Sequence, residues 1–77
     1  MDADEAADKL CALIGERIRV ERRKRGMSLQ EVGGQQLTRS YLSMVERGRC
    51  RISLKALLVI SDQLGVGLKT LLPENQR

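Results

Sequence analysis

Apolar residues recur every three or four positions along the first third of the chain. The repeat consists of Ala7, Leu10, Ile14 and Ile18. Residues at this spacing share one face of an α-helix, and the acidic residues before them and the basic residues after them oppose the helix dipole. The pattern therefore predicts a first helix over residues 4–25, which Gly26 ends.

Four shorter helices are predicted to follow. Side-chain oxygens that can cap a helix N-terminus belong to Ser28, Thr38 and Ser53. Glu31, three residues after the first of these, completes a capping box. The third, fourth and fifth helices are predicted to end at Gly48, Gly65 and Pro73. The chain is thus expected to be all-α, with five helices joined by tight connections.

The predicted buried faces are short and aliphatic. Leu29 and Val32 point inward from the second helix. The buried face of the fourth helix is predicted to consist of Leu54, Leu57, Leu58, Ile60 and Leu64. The 77-residue sequence has no Phe, no Trp and one Tyr, so Leu, Ile and Val side chains must form the core. This composition supports one small helical domain.

The net charge of +4 is unevenly distributed along the chain. Residues 1–16 carry five acidic residues and one lysine, whereas residues 17–25 carry six basic residues and one glutamate. A segregated basic segment favours a polyanionic partner, but a solvated helix face has the same pattern. Charge alone leaves both interpretations open.

Catalytic and metal-binding chemistry has little support in the sequence. There is no histidine to act as an acid–base group, and neither Cys11 nor Cys50 has metal-ligand spacing. We therefore predict that the chain is not an enzyme, carries no metal or cofactor, and holds both cysteines as reduced thiols. No segment has the length of a membrane span or the pattern of a signal peptide, which predicts a cytoplasmic protein.

The third predicted helix, residues 38–47, has two contrasting faces on a wheel at about 100° per residue. Leu42 and Val45 lie on one side, with Glu46 close by. The opposite side consists of Ser40, Ser43, Met44 and Arg47. Arg39 adds a second arginine at the other end of that side. Small polar side chains allow a close approach to the major groove of DNA, where Arg and Ser can reach base edges.

Elements around this helix are candidates for contacts to the DNA backbone. Residues 28–30 start a capped helix with free N–H groups, so Ser28 and Gln30 are predicted to contact phosphate. The basic residues that follow the third helix are Arg49, Arg51 and Lys55. They lie where a second stretch of backbone would pass, which predicts phosphate contacts there too. The run 22–25 is interpreted as mostly solvated, with a phosphate role as the alternative.

Four segments carry a resemblance to a known family. They are IGERIR, RGMSLQE, RSYLSMVERG and SLKALLVISDQLGV. The chain resembles the Cro/repressor-type helix-turn-helix family, also called the XRE family, from about Ile14 to Leu72. The resemblance implies a compact five-helix bundle of the lambda-repressor-like DNA-binding type, in which helices 2 and 3 form the helix-turn-helix. It also implies a prokaryotic-type transcriptional regulator that binds double-stranded DNA sequence-specifically, usually as a homodimer.

The resemblance assigns roles to individual residues. Base-contacting positions are Arg39, Ser40, Ser43 and Met44, with Tyr41 at their flank, and Arg47 occupies a phosphate-contacting position. Met44 would contact a thymine methyl group or remain exposed without a contact. Tyr41 would pack on the second helix, contact a phosphate, or do both. The resemblance also implies a partly buried structural ion pair between Arg22 and Glu46.

The chain departs from the family pattern in the second helix and the turn. Leu29 occupies a position where many members have a phosphate-binding Gln, so Gln30 is the substitute candidate. Gly33 replaces the usual Ala, and the usual turn Gly is missing. We expect Gly33 to allow a close approach of the third helix and Gly34 to adopt the left-handed conformation. The second helix should then end about one residue early, with residues 35–37 as a tight link.

Three segments divide the chain. Residues 1–13 are predicted to be an acidic extension of the first helix, residues 14–72 the DNA-binding domain, and residues 73–77 a C-terminal tail. The extension includes the apolar residues Leu10, Cys11 and Leu13. Either residues 68–72 or a partner subunit would cover these apolar residues, and we favour a partner subunit in a homodimer. The alternative is that the N-terminal turn of the helix frays. A sensor domain downstream fits a chain excised from a longer regulator.

Sequence-specific DNA binding is the leading functional hypothesis. The alternative is a protein-interaction module that keeps the helix-turn-helix shape without binding DNA. Such a module would need an exposed apolar patch on the outer face of the third helix. Serines and arginines occupy that face instead, which favours DNA.

Overall fold

Five α-helices make up residues 1–73, the part of the chain that the structure, a computed structural model, describes. They are α1 (Ala3–Lys24), α2 (Leu29–Gly33), α3 (Arg39–Glu46), α4 (Leu54–Leu64) and α5 (Leu68–Leu71). No strand occurs in this range, so the predicted all-α fold with five helices is confirmed. None of the described helices is long and apolar enough to cross a membrane. The predicted C-terminal tail lies outside the described residues, except for Pro73.

Side-chain caps set the starts of four of the five helices, and those of α2, α3 and α4 were predicted from the sequence. Ser28 Oγ accepts a hydrogen bond from the Glu31 N–H (3.0 Å), and the Glu31 carboxylate accepts one from the Ser28 N–H (2.7 Å). Thr38 and Ser53 cap α3 and α4 through their hydroxyl oxygens. Asp2 caps α1 with a second capping box, which the sequence analysis did not predict. Each such cap typically contributes about 1 kcal/mol.

All five helices contribute to one aliphatic core. Its buried side chains are Ile14, Ile18, Val32, Leu42, Val45, Leu57, Ile60, Leu64 and Leu71. α3 packs against α1 and α2, and α4 packs against α2 and α5. Because α2 and α5 are too short to be stable helices alone, this tertiary packing holds them.

The predicted buried face of α4 is partly wrong. Leu54 and Leu58 are 70% and 50% exposed, whereas Ala56 and Ser61 are buried. Ala56 and Leu57, about 100° apart around the helix axis, both face the core. Leu58 lies about another 100° further round. Leu58 therefore lies beyond the core-facing side, and two leucines of α4 face solvent.

The predicted stripe on α1 is also only partly buried. Ile14 and Ile18 belong to the core, but Leu10 is exposed. α5 packs against α1 without covering Leu10 or Leu13. The N-terminal half of α1 therefore extends past the core.

The connection between α2 and α3 accounts for the two adjacent glycines. A Cβ on Gly33 would lie 2.7 Å from Leu42 Cδ1, so the missing side chain lets α3 approach α2. α2 ends at Gly33, as predicted, and Gly34 has φ +58° and ψ −137°. Its φ is positive, but its ψ lies outside the left-handed helical region, in a conformation that glycine alone adopts readily. The Leu37 N–H donates to the Gly33 carbonyl (3.1 Å) and closes the link.

α1 and α3 approach each other through their backbones. A Cβ on Gly15 would overlap the carbonyl oxygen of Val45. Gly15 is buried in the middle of α1. The end of α3 is therefore held directly against α1, with no side chain between the two backbones at this point.

Candidate nucleic-acid interface

The outer face of α3 borders an open groove. Leu42 and Val45 are buried on the inner side of the helix. The groove is lined by Leu29, Arg39, Ser40, Ser43, Met44 and Arg47. The structure thus brings four of the five residues predicted to contact bases into one surface, together with Arg47. Leu29, from the start of α2, is an addition to the predicted set.

Arg47 folds back along this outer face. Its Nη2 atom donates a hydrogen bond to Ser43 Oγ (2.8 Å). Arg47 is the residue that caps the C-terminal end of α3. Because the bond is exposed to solvent, an acceptor on DNA can replace the serine oxygen without leaving a buried polar atom unpaired.

Tyr41 lies outside the groove. Its side chain packs against the core, and its hydroxyl oxygen accepts a hydrogen bond from the Ser53 N–H (3.3 Å). Neither the second helix nor an open phosphate site is the partner of this hydroxyl group. The contact ties α3 to Ser53, the N-cap residue of α4.

An ion pair joins α1 to α3 behind the groove. Arg22 Nε donates to Glu46 Oε2 (2.7 Å) and Arg22 Nη2 donates to Glu46 Oε1 (3.0 Å). The side chains are 15% and 8% exposed, so the pair is partly buried. The bond to Glu46 raises the pKa of Arg22 against the effect of burial, which lowers it. Arg22 Nη1 also donates to the Met27 carbonyl (2.9 Å), which links both helices to the start of α2.

The N-terminus of α2 lies next to the groove. Arg22, Ser28, Leu29, Gln30 and Arg39 line a second depression there. The expectation of free N–H groups over residues 28–30 needs correction, because the Ser28 N–H donates to the Glu31 carboxylate. The amides of Leu29 and Gln30, in the first turn of the helix, have no acceptor within it.

The basic residues after α3 are not equivalent. Arg49 and Lys55 are exposed. Arg51 Nε donates to Asp8 Oδ1 (2.8 Å), and its Nη2 donates to the Asp4 carbonyl (3.1 Å). The bond to Asp8 raises the pKa of Arg51. Acidic residues of α1 thus hold one predicted phosphate-contacting side chain.

Both cysteines line a cleft between α1 and the loop after α3. Cys11 and Cys50 are free thiols. Burial raises the pKa of Cys50, and Cys11 adds to this effect, so the Cys50 thiol stays protonated at neutral pH. No group of three or more His, Cys, Asp or Glu side chains suited to a metal ion occurs among residues 1–73.

Sequence comparison identifies the family. A family model described as a helix-turn-helix domain matches residues 13–73, which is most of the chain. The chain belongs to this helix-turn-helix family. The predicted family is therefore confirmed, and α2 and α3 are the two helices of the motif.

Two solved structures are similar to this helix-turn-helix chain. One is the restriction-modification controller protein C.AhdI from Aeromonas hydrophila, which is 31% identical with a TM-score of 0.74, over 79% of this chain and 94% of that chain. The other is the hypothetical transcription factor NHTF from Neisseria, 35% identical with a TM-score of 0.75, over 83% and 75% of the two chains. No curated protein matches the chain significantly. The predicted fold class is confirmed by these two structures.

Two further arginines of this helix-turn-helix domain lie beside α3: Arg19, which was not predicted from the sequence, and Arg23, for which a phosphate role was the alternative prediction. Arg19 and Arg23 line a depression that also contains Ser43 and Arg47. They belong to the basic segment whose role the charge pattern left open. Spacing offered a signal for Arg19, which lies one turn before Arg22 on α1, and Arg23 lies one turn after Arg19. Since Arg22 pairs with Glu46 of α3, the side of α1 that carries Arg19 borders α3.

Other members of the basic segment neutralise a buried acid. Arg25 Nη1 lies 2.6 Å from Glu21 Oε1, and Lys24 Nζ lies 3.5 Å from Glu21 Oε2. Glu21 is buried within α1. The hydrogen bond from Arg25 lowers the pKa of Glu21, although burial opposes this effect. The basic segment therefore divides between an internal ion pair cluster and the surface beside α3.

Proposed function

We propose that this helix-turn-helix domain binds double-stranded DNA sequence-specifically, with α3 in the major groove. The observation that carries the proposal is the outer face of α3, where Ser40 and Ser43 lie between Arg39 and Arg47. A helix with short polar side chains at its centre can enter the major groove, and the arginines at its ends can reach guanine or phosphate.

A role in transcriptional regulation is the second part of the proposal. The likeness to a restriction-modification controller protein and to a hypothetical transcription factor supports it. A prokaryotic-type regulator of this kind would act in the cytoplasm, where the DNA of such a cell lies.

The contacts divide into base edges and phosphates. The residues that we propose to contact base edges are Arg39, Ser40, Ser43 and Met44. The residues that we propose to contact phosphates are Arg19, Arg23, Ser28, Gln30, Arg47, Arg49 and Lys55. Arg51 would join them only after release from Asp8. Tyr41 acts indirectly in this scheme, because its hydroxyl group holds α3 against the start of α4.

A homodimer is the assembly that we propose. Two paired copies would present two α3 helices to half-sites about one helical turn apart, or roughly 34 Å. The exposed Leu54 and Leu58 support pairing, because they lie four residues apart on one face of α4. Leu10 and Leu13 form a second exposed pair, on α1.

The proposal is tested by selecting binding sites from a random pool of DNA duplexes. Fluorescence anisotropy then compares the selected duplex with a scrambled one. We expect the selected duplex to bind at least about a thousandfold more tightly. The logarithm of affinity should fall linearly with the logarithm of salt, by about 0.9 for each phosphate contacted. A pool with no enriched sequence would contradict sequence-specific binding.

Two variants test the base contact that we propose for Arg39. Arg39→Ala should weaken binding to the selected duplex by about 1–3 kcal/mol and relax preference at one base pair. Lys69→Ala, which removes an exposed positive charge from α5, is the matched control and should change affinity little. Equal effects from both variants would mean that α3 makes no base contact through Arg39.

A further inference from the structure

The groove beside α3 contains two apolar side chains among its polar ones. Leu29, at the first position of α2, and Met44, on the outer face of α3, line it together. Met44 is 43% exposed, and Leu29 is partly buried against the core. Arg39, Ser40 and their neighbours make up the rest of the lining. An apolar notch thus opens within a surface that otherwise suits hydrogen bonds.

Base pairs display one kind of apolar group in the major groove. This group is the methyl carbon on C5 of thymine, and 5-methylcytosine carries a methyl group at the same ring position. A protein surface that binds DNA through hydrogen bonds alone needs no apolar notch. Two apolar side chains that line one groove with the residues proposed to contact base edges therefore match the chemistry of a 5-methylpyrimidine.

Hydrogen bonds fix the backbone segments that carry the two walls of the notch. Reciprocal hydrogen bonds between Ser28 and Glu31 fix the first turn of α2, which carries Leu29. Arg22 binds both the Met27 carbonyl and Glu46, so it joins the residues just before α2 to α3. Because Met44 lies two residues before Glu46, the same side chain sets the spacing between the walls.

We propose that Leu29 and Met44 form a pocket for the C5 methyl group of a pyrimidine at one position in each half-site. The proposal rests on the proposed function, since it assumes that α3 lies in the major groove. It extends that function by naming a base feature that the domain selects. Leu29 acts here as a specificity-determining residue of α2, although α3 is the helix that enters the major groove of DNA.

The test begins with the duplex selected from the random pool. Each thymine in turn is replaced by deoxyuridine, which removes the methyl group and keeps every hydrogen-bonding atom. For the unaltered protein we expect one position per half-site at which deoxyuridine weakens binding about fourfold, the factor that corresponds to burying one methyl-sized group. Met44→Ala should bind the duplexes with thymine and with deoxyuridine at that position equally.

Leu29→Ala should remove the same penalty. Because Leu29 also packs against the core, circular dichroism must first show that this variant is folded. Met44→Ala decides the question if it is not, since Met44 is exposed. Leu72→Ala is the matched control, because it truncates an exposed leucine outside the groove and away from the proposed dimer contacts, and it should keep the full penalty.

A second arm distinguishes the two sources of the methyl group. At the sensitive position the thymine–adenine pair is replaced by cytosine–guanine, with and without methylation at C5 of the cytosine. We expect the methylated duplex to bind the unaltered protein about fourfold more tightly than the unmethylated duplex. Met44→Ala should bind the two duplexes equally. A restored affinity identifies 5-methylcytosine as a ligand of the pocket, and its absence restricts the pocket to thymine.

The outcomes separate this inference from the function beneath it. A selection without an enriched sequence would overturn the proposed function. An enriched sequence that tolerates deoxyuridine at every thymine would overturn the methyl pocket alone. A deoxyuridine penalty that persists in Met44→Ala would overturn it too, because the methyl group would then lie against other residues.

Discussion

Gly15 shows how much one missing side chain matters in this fold. Its Cα lies against the backbone of α3, and a Cβ would overlap the Val45 carbonyl oxygen. A backbone carbonyl cannot move aside as the end of a flexible side chain can. By contrast, a Cβ on Gly33 would meet the end of the Leu42 side chain rather than backbone.

We predict that Gly15→Ala lowers the free energy of unfolding by about 2 kcal/mol, because overpacking outweighs the roughly 1 kcal/mol that Ala gains in a helix. Urea denaturation monitored by circular dichroism measures the change. Gly67→Ser is the control, since nothing lies within 4 Å of its Cβ position and serine also suits this N-cap position. Its effect should stay below about 0.5 kcal/mol. Equal stabilities of the two variants would show that α3 can move away from α1.

Glu21 makes the stability of the domain depend on pH. The hydrogen bond from Arg25 lowers the pKa of Glu21 below its ordinary value of 4.5. A lowered pKa in the folded state stabilises the fold fully above the ordinary pKa. The stabilisation is lost as pH falls below 4.5 and through the lower pKa of the folded state.

We therefore predict that Glu21→Gln is less stable than the unaltered protein at neutral pH and that the difference shrinks at about pH 3. Urea denaturation at several pH values gives both curves. Glu16→Gln, at an exposed position of the same helix, controls for the change in net charge. Parallel curves for the unaltered protein and Glu21→Gln would mean that other carboxylates cause the acid sensitivity.

At the scale of whole elements, Arg22 connects three helices. It lies in α1, binds Glu46 in α3, and holds the Met27 carbonyl just before α2. Loss of the arginine would leave a partly buried carboxylate and a carbonyl without their donor. Loss of one partner of such a pair costs more than loss of both.

Arg22→Ala is predicted to destabilise the fold by about 3 kcal/mol. Glu46→Ala should cost a similar amount, and the double variant should cost clearly less than the sum. Thermal and urea denaturation measure these values. Arg23→Ala, the exposed neighbour, should change stability by less than about 0.5 kcal/mol. Additive costs would show that the two side chains act independently.

The start of α1 holds Arg51, a side chain that we propose to contact phosphate once it is released. Asp8 and Asp4 hold the guanidinium group through exposed bonds, which salt and a phosphate group can displace. We predict that Asp8→Asn binds DNA more tightly and increases the salt dependence of log affinity by about one ion. Asp62→Asn in α4 makes the same charge change away from Arg51 and gives the baseline for anisotropy. No difference between the two variants would leave Arg51 without a role in binding.

Helix starts were predictable from the sequence, whereas helix faces were only partly so. The caps at Ser28, Thr38 and Ser53 depend on residues three positions away, and local signals of this kind are complete in the sequence. Leu54 and Leu58 look like core residues in the same local window, but α2 and α5 cover a different side of α4. Burial depends on partners that are distant in the chain.

The candidate interface shows the same division. Positions 39, 40, 43 and 44 follow from the helical period, and the structure places them together in one groove. Arg51 and Leu29 could not be placed in this way. Contacts with Asp8, 43 residues away, hold the first, and the position of α2 beside α3 brings the second into the groove.

At the scale of the whole molecule, opposite charges occupy different parts of the chain. Five acids lie within residues 1–16, and the basic side chains that line the depressions beside α3 come from α1, from the start of α3 and from its C-terminal cap. A net charge of +4 favours association with a polyanion at low salt. The side that carries α3 also presents short polar residues, so it is the face that we propose to turn towards DNA.

The exposed leucines give a prediction about assembly. We predict that Leu58→Glu shifts the protein towards monomer in sedimentation velocity and abolishes preference for two correctly spaced half-sites. A buried glutamate at a dimer interface would remain unpaired, whereas on a monomer it is solvated. Leu13→Glu in α1 is the matched control. Dissociation by Leu13→Glu instead would move the interface to the N-terminal half of α1.

The eight residues of α3 contain two sets that do not overlap. Leu42, Val45 and Glu46 attach the helix to the rest of the bundle, and the residues that line the groove take no part in that attachment. A change of the outer set can therefore alter the preferred operator and leave folding intact. The same fold can therefore diversify into regulators with separate targets after gene duplication, because different residues of α3 determine its stability and its proposed sequence preference.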